Sequence, residues 1–321
     1  MNNAKVSVCI AVYNVEKYIE QCVRSLFEQT LDDLEYVFVD DASPDASIDV
    51  MLRVLEEYPH RKNQVKLIRH EHNQGVAVTR KDAIAAATGE YIIHCDPDDW
   101  VELDMYEKLY KKAVENNADM VYCGYVFENN NTQTFMREKI NKNKNILENF
   151  FFGNMTYGLW NKLYKSQIVQ AEKIKYDDTL TTAEDWCAIL QYLQDVKIAD
   201  SVDCGLYHYR IDNINSLCKK NNYLVALDAI DFARNSVFPG RFESHFILHE
   251  ARLLLLAFSY DALPAAVWRE RSKNVKPIFW KMKYPLKLKG LFYFVCINYS
   301  FARCSWIIIK SAKKFLTKIL Y

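Results

Sequence analysis

Apolar runs alternate with helix-spaced segments over the first 125 residues, and this alternation constrains the fold more than any other feature. VSVCIAV (6–12) is continuous, apolar and β-branched, the pattern of a strand buried on both faces. Asn14 is placed to cap the next segment, where Val15, Ile19, Cys22 and Leu26 recur at helical spacing. LEYVFVDD (34–41) is a second strand, and Ile48, Met51, Leu52 and Leu55 give the following helix an apolar face. VKLIRH (65–70) is a third. After an NQG loop, Val76, Arg80, Ala83, Ile84 and Ala87 share a helix side, with Gly89 as the expected C-cap. EYIIHCD (90–96) is the fourth strand. Repeated β-α-β in this order predicts an α/β fold, a Rossmann-like, mostly parallel sheet flanked by helices.

In such sheets ligands bind at the carboxyl ends of the strands. Three of those ends are polar here: Tyr13-Asn14, Asp40-Asp41, and Asp96-Pro97-Asp98-Asp99. Carboxylates this close repel unless a cation lies between them or one takes up a proton. A solvated turn with a helix cap accounts for Asp and Pro. Asp-x-Asp also suits Mg²⁺ or Mn²⁺, which takes one or two carboxylates and completes its shell with substrate phosphate oxygens. Neither G-x-x-x-x-G-K-[ST] nor a G-x-G-x-x-G after the first strand is present. P-loop ATPase and dinucleotide oxidoreductase readings thereby lose their main support. A diphosphate would be held by metal and arginine instead, and Arg80, beside NQG, is the candidate.

Beyond residue 125, ENNNTQT and NKNKN are expected to be loops. FFGNMTYGLWNKLYKSQIV (151–169) reads as aromatic and then helical, TTAEDWCAILQYL (181–193) as a loop entering a helix, and VDCGLYHYR (202–210) as a further strand. Helical signals dominate from about residue 220, which suggests a catalytic domain over 1–215 and a helical, basic region over 216–321. The net charge is +0, but no acidic residue follows Glu270, while twelve Lys and Arg residues do. A basic tail implies an anionic partner, nucleic acid or a membrane surface. LFYFVCINYSFARCSWIII (291–309) is apolar over 19 residues apart from Asn298 and Arg303. It is read as a helix lying in the membrane interface, with Phe292, Phe294, Trp306 and Ile307 inserted, as a helix packed on the protein, or, third, as a true membrane span. The nine cysteines form no C-x-x-C pair and read as small buried hydrophobes. His245 and His249 have i, i+4 spacing with Glu250 following, but not the H-E-x-x-H order of a zinc site. The N-terminus is too quickly polar for a signal peptide, so a cytoplasmic location is expected.

The stretch VSVCIAVYNVEKYIEQCVRSLFEQTLDDLEYVFVDDASPDAS resembles the opening of a family 2 glycosyltransferase. NQGVAVTRKDAIAAATGEYIIHCDPDDW is similar to its middle, and AEDW to its late catalytic motif. The resemblance runs over about residues 5 to 210. It implies the GT-A fold, a nucleotide-diphosphate sugar donor (UDP-sugar favoured), Mn²⁺ or Mg²⁺, and inverting transfer. The acceptor it implies is a saccharide or a lipid-linked molecule, in bacterial surface polysaccharide synthesis. From its positive and apolar residues, 271–321 is expected to contact the inner face of the cell membrane, and no nucleic-acid partner is expected.

Carried over by position, Ala11 and Tyr13 would line the nucleoside, with Asp41 accepting from the base and Asp40 supporting the turn. Arg80 would lie near the diphosphate. Asp96 would contact the ribose or the metal, and Asp98 would be the main metal ligand. Asp185 would be the general base with Glu184 beside it, and Trp160 and Lys162, in WNKLY, would lie near the acceptor. Val12, where many members carry proline, and VTRKDA depart from the usual pattern without removing a charged group.

The chemistry agrees. Cleaving the anomeric C–O bond builds positive character on the sugar and negative charge on the leaving diphosphate, and a positioned carboxylate can take the acceptor's proton. Two other functions share this architecture. A sugar-1-phosphate nucleotidyltransferase would carry a Gly- and Arg/Lys-rich first loop, and VYNVEKY has no glycine. A non-catalytic carbohydrate-binding protein would not need Asp41, Asp96, Asp98 and Asp185 together.

Overall fold

The strand β1 (Val6–Val12) is buried at six of its seven positions and β2 (Leu34–Asp40) at all seven. Side chains of a strand point alternately to both faces, so both faces of these strands are covered. The computed structural model describes residues 4–129, 132–151, 153–175, 177, 183–213, 223–260, 262–279, 292, 293, 295–297, 299 and 302. Its contacts divide the chain into Met1–Lys219 and Lys220–Tyr321.

In the first unit, α1 (Ile19–Phe27), α2 (Ser47–Glu57) and α3 (Val76–Ala86) link β1, β2, β3 (Val65–Arg69) and β4 (Tyr91–His94). These four strands are parallel, in the order β3-β2-β1-β4. Then the sheet turns mixed. After β5 (Trp100–Val101) and α4 (Met105–Glu115) come β6 (Met120–Asn129), β7 (Thr132–Met136), α5 (Ile146–Phe151), β8 (Lys162–Lys165), α6 (Glu184–Leu193) and β9 (Ala199–Arg210). β8 lies antiparallel between β4 and β6, β9 runs parallel to β6, and β5 closes that side. The core joins Val8, Ile10, Phe38 and Ile93 to Tyr106, Leu163, Trp160 and Tyr207.

Several expectations change. Asn14 does not cap α1; it adopts φ 56°, and α1 starts at Ile19. The intervening turn is held from the α2 side, where Ser47 Oγ accepts from Val15 N–H (2.9 Å) and Asp45 from Glu16 N–H (2.9 Å). Gly89 is not the cap of α3, which ends at Ala86 with Ala87 as its C-cap. Its N–H donates to Ser7 Oγ (2.8 Å), and a Cβ there would stand 2.6 Å from the Ser7 amide nitrogen, so the close approach requires glycine. Of ENNNTQT, read as a loop, Glu128 and Asn129 end β6 and Thr132–Thr134 begin β7, which pairs with it. The segment read as helical after the aromatic run contains the strand β8, whose Lys162 is fully buried.

β2 also carries a buried carboxylate. Glu35 accepts from Ser7 Oγ (2.5 Å), Thr88 N–H (2.7 Å) and Thr88 Oγ1 (2.8 Å), and pairs with Lys66 (2.6 Å). It ties three parallel strands to the turn entering β4.

The second unit contains α7 (Tyr223–Phe232), which continues as a π-turn over Ala233–Val237, then α8 (Glu243–Tyr260) and α9 (Ala265–Phe279). Trp268 is its buried centre; its indole donates to Leu254 O (2.8 Å) and its ring packs on Phe258, Phe292 and Tyr299. Buried Glu250 pairs with Arg234 at 3.0 Å and Arg271 at 3.6 Å. Phe292 is thus packed inward in this unit, not presented for membrane insertion; Phe294, Trp306 and Ile307 lie outside the described residues. Among the described residues no helix is long and apolar enough to cross a membrane. His249 is buried and its pKa falls to about 3, through burial and then Arg252, and Glu250 is committed to arginine rather than to a metal.

Candidate active site

The carboxyl ends of β1, β2 and β4 meet at one edge. Ala11 is part-buried near the end of β1, and Tyr13 beyond it is 47% exposed, leaving its ring open to stacking. Asp41 is buried after β2 and its N–H donates to Val12 O (2.9 Å). One of its oxygens accepts from Gln74 N–H (2.8 Å) and the other from Gly75 N–H (2.9 Å). Gly75 has φ 89°, a conformation that glycine adopts without Cβ strain. Asp40 accepts from Ser43 N–H (2.9 Å) and so shapes the same turn.

The cation at the acidic edge is Arg80. It is buried on α3 and donates to Asp96 Oδ1 through Nη2 (3.0 Å), and to Glu184 (2.9 Å) and Asp185 through Nη1. Burial disfavours its charge, and Asp185, Asp96 and Glu184 more than offset that, so its pKa rises further. These two nitrogens therefore address the carboxylates.

Glu184 and Asp185 begin α6, directly after Ala183, which has φ 68°. Asn14 and Ala42 share that left-handed conformation at the ends of β1 and β2. Each costs on the order of 1 kcal/mol in a non-glycine residue, and such strain concentrates at functional sites. The Asp185 carboxyl is pushed well above the ordinary range by burial; Arg80 pulls it back, while Glu184 and Asp96 add to the rise.

Behind the acidic turn stands the end of β9. Asp98 accepts from Asn213 Nδ2 (2.7 Å), and its carbonyl accepts from Arg210 Nε (2.8 Å). Asp99 is buried and accepts from Tyr207 OH (2.7 Å) and Arg210 N–H (2.8 Å). The Tyr207 oxygen also accepts from Asp96 N–H (3.2 Å). The Arg210 guanidinium lies over Tyr18 (5.1 Å) and Trp100 (4.8 Å). Asp98 is raised by burial first and by the Asp96 charge second, only partly relieved by Asn213 and Arg210.

Trp160 and Lys162 do not present their side chains for an acceptor. Trp160 is buried and stacks on Tyr207, with ring centroids 4.3 Å apart. Lys162 donates to Thr156 O (3.1 Å), Gly158 O (2.7 Å) and Asn161 Oδ1 (2.7 Å). One orders the ring that supports the acidic turn, and the other orders the 156–161 loop. His94 is buried beside Arg80 with no hydrogen-bond partner on either ring nitrogen among the described residues. Burial, and then Arg80, lower its pKa to about 3, so it is a neutral packing residue.

The sequence reading did not single out Tyr207, Arg210, Asn213 or His70. For three of them a signal was present in YHYRIDN, polar residues at the end of a strand. For His70 it was the polar end of the third strand, beside the three strand ends that were considered.

The glycosyl transferase family 2 pattern matches residues 7–174, more than half of the chain. The chain belongs to this family, and its fold is GT-A. It is 34% identical over 219 residues to EpsH of Bacillus subtilis, which carries a glycosyltransferase name; the match covers 66% of this chain and 62% of EpsH. It is 30% identical over 211 residues to the poly(ribitol-phosphate) beta-glucosyltransferase of Bacillus spizizenii, covering 64% of this chain and 32% of that protein. The matched stretch therefore spans less than two thirds of these relatives. Among solved structures, Staphylococcus aureus TarS 1–349 in complex with UDP-GlcNAc superposes with TM-score 0.68 at 19% identity, covering 94% of this chain and 91% of that one. The mannosyltransferase PcManGT of Pyrobaculum calidifontis, solved with GDP-Man and Mn²⁺, gives 0.51 at 15% identity, covering 99% and 89%. At these identities the likeness bears on the fold.

Proposed function

We propose that the chain is an inverting, metal-dependent glycosyltransferase. It moves a sugar from a UDP-sugar donor to a hydroxyl of a saccharide or lipid-linked acceptor in bacterial surface polysaccharide synthesis. The observation that carries this reading is the convergence of the Asp96–Asp99 turn and the Glu184-Asp185 pair on one buried arginine. It brings a candidate metal edge and a candidate base to one site, and single displacement at an anomeric carbon uses both, with the leaving group on one face of the sugar and the base on the other. TarS with UDP-GlcNAc supports the donor class, and the poly(ribitol-phosphate) glucosyltransferase supports a surface polymer as acceptor.

The donor set fits a divalent cation. Asp96 and Asp98 are hard oxygen ligands; burial first and the Asp96 charge second raise the Asp98 carboxyl, and a bound cation would favour its ionised form. Asp96 and Asp98 would hold Mn²⁺ or Mg²⁺, and the Mn²⁺ of PcManGT supports the choice. When bound, the ion stabilises charge on the departing diphosphate. The chain's own residues do the rest. Tyr13 packs on the base beside Ala11, and Asp41 accepts from a base N–H. Asp185 takes the proton of the attacking hydroxyl, and Glu184 meets the acceptor beside it. Arg80 fixes both carboxylates relative to Asp96. Trp160 and Lys162 act indirectly, Trp160 by ordering Tyr207 behind the acidic turn and Lys162 by ordering the 156–161 loop. The basic residues after Glu270 support attachment of the enzyme to the anionic inner leaflet.

UDP- and GDP-sugars incubated with Mn²⁺ and no acceptor test the reading. Slow release of nucleoside diphosphate is expected. Pyrophosphate formation from a nucleoside triphosphate and a sugar 1-phosphate, with no such release, would favour the nucleotidyltransferase instead.

A further inference from the structure

His70, the residue after β3, is enclosed between two carboxylates. Its side chain is 6% exposed; Nδ1 meets Asp41 Oδ1 at 2.8 Å and Nε2 meets Asp82 Oδ2 at 3.0 Å. Its own N–H donates to Asp40 O (2.9 Å). A neutral imidazole donates at one nitrogen and accepts at the other. Ionised carboxylates only accept, so both contacts are hydrogen bonds only when the ring carries two protons. Asp41 comes from the end of β2 and Asp82 from α3; the two face the ring from the elements packed against it. Asp40 meets the segment through its carbonyl, and Arg69 and Glu71 flank His70 on its own segment.

Asp41 is the hinge of this arrangement. The oxygen that takes the imidazole also takes Gln74 N–H, and the other takes Gly75 N–H. We propose that His70 is a positioning residue of the nucleotide site: its second ring proton clamps Asp41, and with it the 74–75 turn, in the geometry that receives the base. This rests on the reading that Asp41 contacts the nucleoside. Loss of the proton turns one nitrogen into an acceptor facing a carboxylate: at Nδ1 the bond to Asp41 is lost outright, and at Nε2 the bond to Asp41 loses the charge that strengthens it. Burial lowers the pKa of the ring, and the bonds to Asp41 and Asp82 more than reverse this, so it lies above the ordinary histidine value. The clamp is therefore complete at the acidic end of the physiological range and is lost as pH rises through that raised pKa.

The test uses the full chain, with UDP as the probe in calorimetry from about pH 6 to about pH 9. Wild-type affinity is expected to fall about tenfold across the range, as a one-unit shift of a linked pKa produces. Asp82→Asn removes one carboxylate and leaves Asp41 intact, so the fall should move to lower pH. His70→Gln, with one donor, should bind weakly at every pH. Nitrogen NMR of the ring should show both nitrogens protonated near neutrality. A singly protonated ring, or an affinity independent of pH in both wild type and Asp82→Asn, overturns the clamp. If Asp41→Asn binds UDP as tightly as wild type, the nucleotide reading fails instead. Protection factors of the Gln74 and Gly75 amides in the nucleotide-free chain then decide the clamp, which requires them to drop as the ring deprotonates.

Discussion

Arg80 on α3 donates to Asp96 beyond β4 across 3.0 Å, and the same guanidinium holds Glu184 and Asp185. Its replacement would leave three carboxylates facing one another without a cation. Arg80→Met should destabilise the first unit on the order of 3 kcal/mol, the cost of breaking a buried pair from one side. Arg80→Lys keeps the charge but not the fork, and should recover only part of this. Urea denaturation reads both.

Asp185→Asn keeps the shape of the side chain and removes proton acceptance. The expected loss in kcat is roughly 100-fold or more, with donor affinity little changed. The base works only when ionised, and the Asp185 carboxyl sits above the ordinary range. The acidic limb of the pH–rate profile should accordingly lie above that of a free carboxylate, with rate lost as pH falls through it. Normal turnover by Asp185→Asn would leave it as a helix-terminal acid alone.

Donor binding should require Mn²⁺ or Mg²⁺, since Asp96 and Asp98 otherwise repel a diphosphate. Titrating nucleotide into the protein with and without EDTA checks this, and Asp98→Asn should behave like the chelated wild type. Equal affinity in all three samples would remove the metal role.

Glu35 reports on the fold rather than on catalysis. Burial would raise its pKa, but Lys66, Ser7 and Thr88 hold it below the ordinary value. A depressed carboxyl contributes stability that is present above its unfolded pKa and lost as pH falls through the folded one. Glu35→Gln should cost about 2 kcal/mol at neutral pH, the scale of hydrogen bonds to a charged group. The difference from wild type should shrink in acid, as measured by thermal unfolding over a pH series.

The strands β1 to β4 were legible because burial on both faces writes itself as continuous apolar runs, and their polar ends announced the edge where Asp41 and Asp96 lie. β8 was not. In WNKLYKSQIV, Trp160, Leu163 and Tyr164 fall at helical spacing, but the segment is a strand inserted between β4 and β6. Its Lys162 is buried because backbone carbonyls of its own loop satisfy it, which no local pattern reveals. The role of Arg80 was half legible. Its helix and its sign could be read, but not that a carboxylate 105 residues away would occupy it. That depends on where β8 and α6 are laid against the sheet. Tyr207 and Trp160 support the acidic turn by stacking, a relation between two segments with no signature in either.

The same separation of 105 residues sets an order of events in the cell. A ribosome adding about 5–20 residues per second delivers Asp185 roughly 5–20 s after Arg80. In that interval the nascent β1–β4 sheet has Asp96 as the one acid of the cluster available to the arginine. Before Asp185 is made the constellation lacks its proposed base, and β9, whose Tyr207 and Arg210 hold Asp99, follows later still. A pause in synthesis between β8 and α6 therefore prolongs the stage at which Arg80 faces Asp96 alone.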